Sequence, residues 1–300
     1  MIIVFNISFR YLCQLFFKEL LPLHIICRFR HQEKNTINHM KKVIKFFLRN
    51  VPRKYLQRIV HLSTKTTKLF YLGNNVECPV CGKHYRKFLP YGYVVSRENA
   101  LCPNCLALER HRLLWLYLNE KTNLFTDNLK FLHIAPELCF MDYFRRQKNI
   151  QYSTADLESP WADVHLNVEN MPLETESYDV VMANHILEHV DNLDKALSEI
   201  YRILKKGGFA ILLSPINPKR LSTYQDKTIT DPLEREKHFG QKDHVREFGM
   251  DYATILKREG VEIIEDRFIE TLERGKIIRY QLANPDCLTI ENHIFVARKL

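Results

Sequence analysis

Glycine is scarce in this chain. The 300 residues hold only 9, where an average composition of about 7% would give more than twice as many, and none lies between Tyr93 and Lys206. A G-x-G-x-x-G phosphate loop is thereby excluded from that stretch. Also missing is any run of about 18 uncharged apolar residues, so a transmembrane helix is not expected. Repeats and low-complexity tracts are absent too. Acidic residues are scarce only at one end: residues 1–121 hold 21 Lys/Arg against 6 Asp/Glu, whereas 122–300 hold 23 against 29. The overall charge of +9 therefore belongs to an N-terminal region. A content of 46% hydrophobic and 26% charged residues is that of a globular protein, and this length suits one large domain with a smaller one.

Four of the eight cysteines are paired in sequence. Cys78, Cys81, Cys102 and Cys105 read C-P-V-C-G and C-P-N-C, a C-x2-C-x20-C-x2-C spacing that suits a tetrahedral metal site. Each pair presents two thiolates from one turn, and Pro79, Gly82 and Pro103 suit such turns. Zinc accepts four thiolates without redox chemistry; a single iron is the alternative. A closed shell has no open position, so the metal is read as structural. The competing reading is two reduced dithiols without metal. Nothing ahead of the knuckles resembles a cleaved secretory signal, which argues for a cytoplasmic chain. Cys13, Cys27, Cys139 and Cys287 have no paired spacing and read as buried or free thiols.

Residues 1–39 read as a poorly ordered extension upstream of Met40. Residues 40–72 form a basic amphipathic helical segment that either packs on its own protein or contacts a membrane surface peripherally. Residues 73–121 hold the knuckle module and a connecting helix, expected from Leu106 to Asn119. From Leu129 strands and helices alternate, which predicts a parallel sheet covered on both faces. Strands are expected at Lys130–Ala135, Gln151–Leu157, Tyr178–Ala183, Phe209–Ser214, Val261–Phe268 and His293–Arg298, and helices at 138–149 and 250–259. Asp191 is expected to cap a further helix carrying Leu193, Leu197, Ile200 and Leu204, with Gly207–Gly208 ending it.

Residues 167–190, N-V-E-N-M-P-L-E-T-E-S-Y-D-V-V-M-A-N-H-I-L-E-H-V, and 201–215, Y-R-I-L-K-K-G-G-F-A-I-L-L-S-P, resemble the type 11 subgroup of class I S-adenosylmethionine (SAM)-dependent methyltransferases. The resemblance covers 129–214 and implies a methyltransferase domain over 122–300. Its expected fold is a Rossmann-like α/β sheet, mostly parallel with an antiparallel last strand, preceded by the small four-cysteine zinc module. The knuckles and H-F-G-Q-K-D-H-V-R also resemble a subgroup associated with surface-glycan synthesis.

The chain departs from the family at the first loop. Where D-x-G-x-G-x-G is usual, F-L-H-I-A-P-E stands at 131–137. His133 replaces the acid, Ala135 the first glycine and Glu137 the second. Glu137 either pairs with the cationic end of SAM or caps the next helix. The resemblance implies that Asp156 holds the ribose hydroxyls, or else is a solvated turn residue. It places Leu157 against the ribose or the ring, and Asn167 and Val168 at the adenine. Asn184 and His185 should face the donor pocket, with His185 either a base or a wall residue. His189 reads as structural, bonded to backbone.

The loop 215–249 is longer than about 15 residues, a length at which function or disorder is usual. His238, Gln241 and Arg246 form a candidate acceptor site, with Asp243–His244 as a base pair and Arg246 on an anionic group. The alternative is a lid that only excludes water. The reading that follows is a SAM-dependent methyltransferase acting on a small-molecule acceptor such as a sugar or glycan precursor. A nucleic-acid methyltransferase using the basic zinc region, in which Tyr85, Phe88 and Tyr91 interleave with Arg86 and Lys87, is less favoured. So is a binding module that has lost SAM.

Overall fold

The computed structural model describes residues 68–92 and 96–300. The expectations for 1–39 and 40–67 lie outside them. The chain divides into two compact units, one comprising the residues up to Glu109 with Arg279–Gln281, the other Arg110–Ile278 with Leu282–Leu300.

In the first unit a 3-10 turn, Lys68–Tyr71, leads into β1 (Leu72–Cys78), which pairs antiparallel with β2 (Lys83–Tyr85). A second ribbon follows, β3 (Leu89–Tyr91) with β4 (Arg97–Leu101). Each ribbon feeds one cysteine pair. The two knuckles share a backbone device: Gly82 N–H donates to Cys78 O at 2.8 Å, and Leu106 N–H to Cys102 O at 3.0 Å. Both residues sit at positive φ, 63° for Gly82 and 64° for Leu106. The first knuckle has the glycine this conformation favours, and the second forces a leucine into it. Leu106 is therefore a turn residue, not the start of the helix. That helix, α1, spans Glu109–Lys121 and belongs from Arg110 onward to the second unit.

The second unit is built on a seven-stranded sheet. In chain order it comprises β5 (Leu129–Ile134), α2 (Leu138–Arg145), β6 (Ile150–Asp156), β7 (Val164–His165), β8 (Tyr178–Ala183), α3 (Leu193–Ile203) and β9 (Leu204–Ile211). Then come β10 (Tyr224–Gln225), α4 (Pro232–Phe239), β11 (Arg246–Glu247), α5 (Tyr252–Leu256), β12 (Val261–Asp266), α6 (Arg274–Tyr280) and β13 (Ile294–Lys299). The strand order is β12-β13-β9-β8-β5-β6-β7. The pairs from β9 through β8, β5 and β6 to β7 are parallel, and β13 lies antiparallel between β9 and β12. Buried runs in β5 and β8 reflect a sheet covered on both faces. Phe131, Phe140, Phe144, Tyr152 and Trp115 pack as one aromatic cluster.

Most expected elements are present with shifted ends, and two expectations are overturned. Asn192, not Asp191, caps α3, its side chain accepting Lys195 N–H at 3.0 Å. Gly207–Gly208 do not end that helix. The helix gives way at Leu204 directly to β9, and the glycines lie inside the strand where its register with β8 shifts. Gly207 takes φ 76°, and a Cβ on Gly208 would lie 2.7 Å from Asp179 O. Helices 138–149 and 250–259 are shorter than expected, ending at Arg145 and running only Tyr252–Leu256.

The long 215–249 segment is ordered. β10 and β11 pair antiparallel, Tyr224 opposite Glu247 and Gln225 opposite Arg246. Between them α4 begins at Asp231, whose carboxylate accepts the N–H groups of Leu233 and Glu234, and ends at Gly240 with φ 84°. Among the described residues no helix is long and apolar enough to cross a membrane.

Candidate active site

The sheet reverses direction between β5 and β8. From β5 the chain progresses outward to β6 and β7, and from β8 it progresses the other way to β9. In an open α/β sheet the crevice at such a reversal, outside the C-terminal ends of the strands, takes the ligand. Three loops enter it: 135–137 after β5, 156–159 after β6 and 184–189 after β8.

A chain of hydrogen bonds ties four neighbouring strands together at this crevice. Tyr152 of β6 bonds His133 Nδ1 at 2.8 Å. His133, fully buried in β5, pairs through Nε2 with Glu137. Glu137 Oε1 accepts from Asn184 Nδ2 at 3.1 Å, beyond β8, and Asn184 Oδ1 accepts Leu213 N–H at 3.2 Å, beyond β9. Burial pushes the Glu137 carboxyl up, but His133, His111 and the Asn184 hydrogen bond outweigh it and hold it at about 2. The carboxylate is ionised and anchored from both sides. Glu137 does occupy the N-cap position of α2, yet its side chain makes no capping bond, which removes the capping alternative. Ala135, at the first glycine position of the resemblance, has φ 49° and donates its N–H to Ala155 O at 2.7 Å. The left-handed turn survives without the glycine.

Asp156 closes β6 and is only 7% exposed, so it is not a solvated residue. Its Oδ1 accepts the N–H groups of Glu158 at 2.9 Å and Ser159 at 2.7 Å. Both turn bonds fall on that one oxygen, which leaves Oδ2 for a ligand. Leu157, just beyond, is 65% exposed. Asn167 is exposed and folds its Oδ1 onto Glu169 N–H at 2.9 Å, while Val168 is buried. The turn after them is pinned to α3: Met171 N–H donates to Glu199 at 2.7 Å, and Arg202 donates to Met171 O at 2.9 Å and Leu173 O at 2.8 Å.

Beyond β8 the backbone turns again at His185, φ 54°. His185 Nδ1 lies 3.3 Å from Glu188 Oε1, and Ser214 donates to Glu188 Oε2 at 3.0 Å. Burial pushes the Glu188 carboxyl up, and His185, His189 and His244 bring it down to about 2. His189 Nδ1 bonds Asp243 O at 3.0 Å, in keeping with a backbone-bonded histidine. A cleft of about 290 Å³ opens on this side, lined among others by Glu188, Asn217, Phe239, Gln241 and His244.

The structure rearranges the expected acceptor set. Asp243 and His244 do not form a base pair: Asp243 Oδ2 lies 3.6 Å from His189, and His244 directs Nδ1 to Phe239 O at 3.1 Å. Arg246 is 1% exposed. Its guanidinium donates to Leu187 O, to Gln225 Oε1 at 3.1 Å and to Asp191 O at 3.4 Å, so it braces the β8–α3 loop against β10. A charge read from loop composition gave no hint of that inward turn. His238 is exposed, 3.3 Å from Tyr224 Oη. Sequence reasoning missed three site residues. His111 is buried edge-on against Phe140 at 5.6 Å, and burial drives its imidazole well below the usual value. His133 was read only as a replacement, and Glu188 only as part of the L-E-H-V match. The H-x-x-E-H spacing of His185, Glu188 and His189 was the available signal.

In the first unit the Cys78 and Cys105 sulfurs are 3.6 Å apart and those of Cys81 and Cys102 3.7 Å. A tetrahedron with metal–sulfur bonds of about 2.3 Å has edges of about 3.8 Å, and a disulfide is about 2.0 Å. The four thiols thus fit a tetrahedral ion and are not disulfides. All four sulfurs lie within 4.8 Å of one another.

Residues 137–212 match the family model described as "Methyltransferase domain". Among curated proteins, the ubiquinone/menaquinone biosynthesis C-methyltransferase UbiE of Rhizobium etli is 42% identical over 50 residues, 17% of this chain. The chain spans about a fifth (19%) of that relative's length. Among solved structures, the YcgJ protein of Bacillus subtilis is 14% identical with a TM-score of 0.38, over 63% of this chain and 98% of that one. A SAM-dependent methyltransferase of Archaeoglobus fulgidus is 17% identical with a TM-score of 0.38, over 62% of this chain and 93% of that one. At these values neither structure bears on activity. The matched segment runs from the start of α2 to the residue after β9, and the strand order with its antiparallel last strand agrees with a class I methyltransferase-like fold.

Proposed function

We propose that the protein is a SAM-dependent methyltransferase whose acceptor is a small molecule, a sugar or glycan precursor methylated on a hydroxyl. The observation that carries this reading is the crevice between β5 and β8, with a buried aspartate at the end of β6 and a methyltransferase-domain match running through it. Bound there, SAM supplies an electrophilic methyl group on a sulfonium.

The residues present fit that ligand. Asp156 offers Oδ2 to the ribose, its other oxygen being held by the turn. Val168 and Leu157 flank the adenine, and Asn167 borders it. Glu137 is ionised and faces the crevice with Asn184, so it holds the cationic end of the ligand. A carboxylate has about four acceptor sites, and two are in use.

His185 acts as the base for the acceptor hydroxyl. Its left-handed backbone turns it toward Glu188, which holds the Nδ1 side and leaves Nε2 to take a proton. His238 and Gln241 contribute to acceptor binding from the 215–249 excursion. Asp243 and Arg246 act as positioning residues, through His189 and the Leu187 carbonyl respectively. The four-cysteine ion is zinc with a structural role, since four thiolates leave it no open position.

Incubation with methyl-labelled SAM and a panel of sugars and nucleotide sugars tests the acceptor class. Label on a sugar oxygen supports it. Label entering RNA or DNA and no sugar would transfer the assignment to nucleic acid.

A further inference from the structure

Glu188, His189 and His244 each offer one ligand atom, and these lie within 4.8 Å of one another. Two histidines and one carboxylate are a donor set that binds divalent transition metals with open coordination positions. We propose that these three residues form a second, divalent-metal site, distinct from the four cysteines and open to the acceptor cleft. The acceptor hydroxyl completes its coordination. This role of the ion rests on the methyltransferase reading; the site itself does not.

The hydrogen bonds around the cluster support it. A carbonyl oxygen only accepts, so the contacts of His189 Nδ1 with Asp243 O at 3.0 Å and of His244 Nδ1 with Phe239 O at 3.1 Å place a proton on each Nδ1. Each neutral ring then carries its lone pair on Nε2. Metal-binding histidines are oriented in this way, by donating the other ring N–H to a carbonyl or carboxylate. The carboxylate is oriented too, by the Ser214 hydroxyl at 3.0 Å.

An independent observation points to a ligand. His244 is only 4% exposed, and its Nε2 is buried without a hydrogen-bond partner among the described residues. An orphaned polar atom in the interior is costly, and a bound cation would satisfy it. Tetrahedral zinc with bonds of about 2.0–2.1 Å draws ligand atoms to about 3.4 Å apart, so binding closes the three side chains inward by about an ångström. The rings of His189 and His244 already meet edge to face with centroids 4.8 Å apart.

The site lies where an ion is useful. Glu188 and His244 line the 290 Å³ cleft together with Gln241 and Asn217, and His185 Nδ1 stands 3.3 Å from Glu188. A divalent cation acidifies a hydroxyl that coordinates it. The hydroxyl proton passes to His185. The oxygen lone pair then forms the new O–CH3 bond as the carbon–sulfur bond breaks, and its electron pair stays on sulfur.

The test is a cobalt(II) titration of reduced, metal-free full-length protein, read by absorption and by metal count. The expected result is two equivalents. One has the intense thiolate-to-metal band of the cysteine site, and the other only weak visible bands. His244→Ala and, separately, Glu188→Gln are expected to retain the thiolate band and lose the second equivalent. One equivalent in the wild type, or two in both variants, would overturn the site. The thiolate band and SAM titration of each preparation report that the variants are folded. Loss of SAM binding with two cobalt equivalents would sink the methyltransferase reading and leave the metal site standing; SAM binding with one equivalent would do the reverse.

Discussion

At the end of β5 a histidine and a glutamate stand where the resembled family has an acid and a glycine, and the two bond each other. The pair joins β5 to β6 through Tyr152 and to β8 through Asn184. Removing the charge leaves His133 and Asn184 short of a buried partner, so Glu137→Gln is expected to cost about 2–3 kcal/mol, measured by urea unfolding, and to weaken SAM binding in calorimetry. A fully retained SAM affinity would make Glu137 a scaffold residue only. Ala135 gives a contrary expectation. Alanine to glycine usually destabilises, but at φ 49° the relief of a left-handed Cβ, about 1–2 kcal/mol, offsets the entropy of the freer chain, about 0.4–1 kcal/mol. Ala135→Gly should leave the unfolding midpoint unchanged or raised. At this scale the positions of Asp156 and Ala135 were legible, because motif order fixes strand ends. The pairing of His133 with Glu137 and the inward turn of Arg246 were not, because each depends on partners that only the folded chain brings into place.

Among the elements, β8 was legible to the residue. The apolar run Val180–Ala183, fully buried, has one interpretation in a two-faced sheet. The junction of α3 and β9 was not, since a Gly-Gly pair after an amphipathic run reads as a helix stop. Here the glycines serve the strand. Gly208→Ala sets a methyl 2.7 Å from Asp179 O, which is backbone and cannot yield cheaply; a loss of about 2 kcal/mol or more is expected in the same unfolding experiment. Gly275, where an added methyl would meet nothing within 4 Å, is the control site at which alanine should be tolerated. The 215–249 excursion stood out in the sequence by its length and its crowded ionisable residues, a pattern that left function and disorder both open. Its helix had visible ends, Asp231-Pro232 and Gly240, while β10 and β11 are two residues each, too short for any periodicity to show.

For the molecule as a whole, the four-cysteine unit and the sheet unit were both legible, the first from spacing and the second from alternation and motif order. The second His/Glu cluster was not, because its ligands come from segments 55 residues apart, His189 and His244. In the first unit the strands of the ribbons are only three to seven residues long, and an ion held by the four cysteines would supply folding energy to so small a unit. Chelation under reducing conditions should therefore expose residues 72–105 to protease within the time the metal-loaded protein resists. Equal resistance with and without metal would remove the structural role.

A crevice with no glycine in its first loop is expected to bind SAM through Asp156. Calorimetric titration of the reduced, metal-loaded protein with SAM and its demethylated product measures it directly, with Asp156→Ala as control. Micromolar binding of both ligands, weakened at least tenfold by the substitution, is the expected result. Absence of binding by the folded wild type, or binding unaffected by Asp156→Ala, would contradict it.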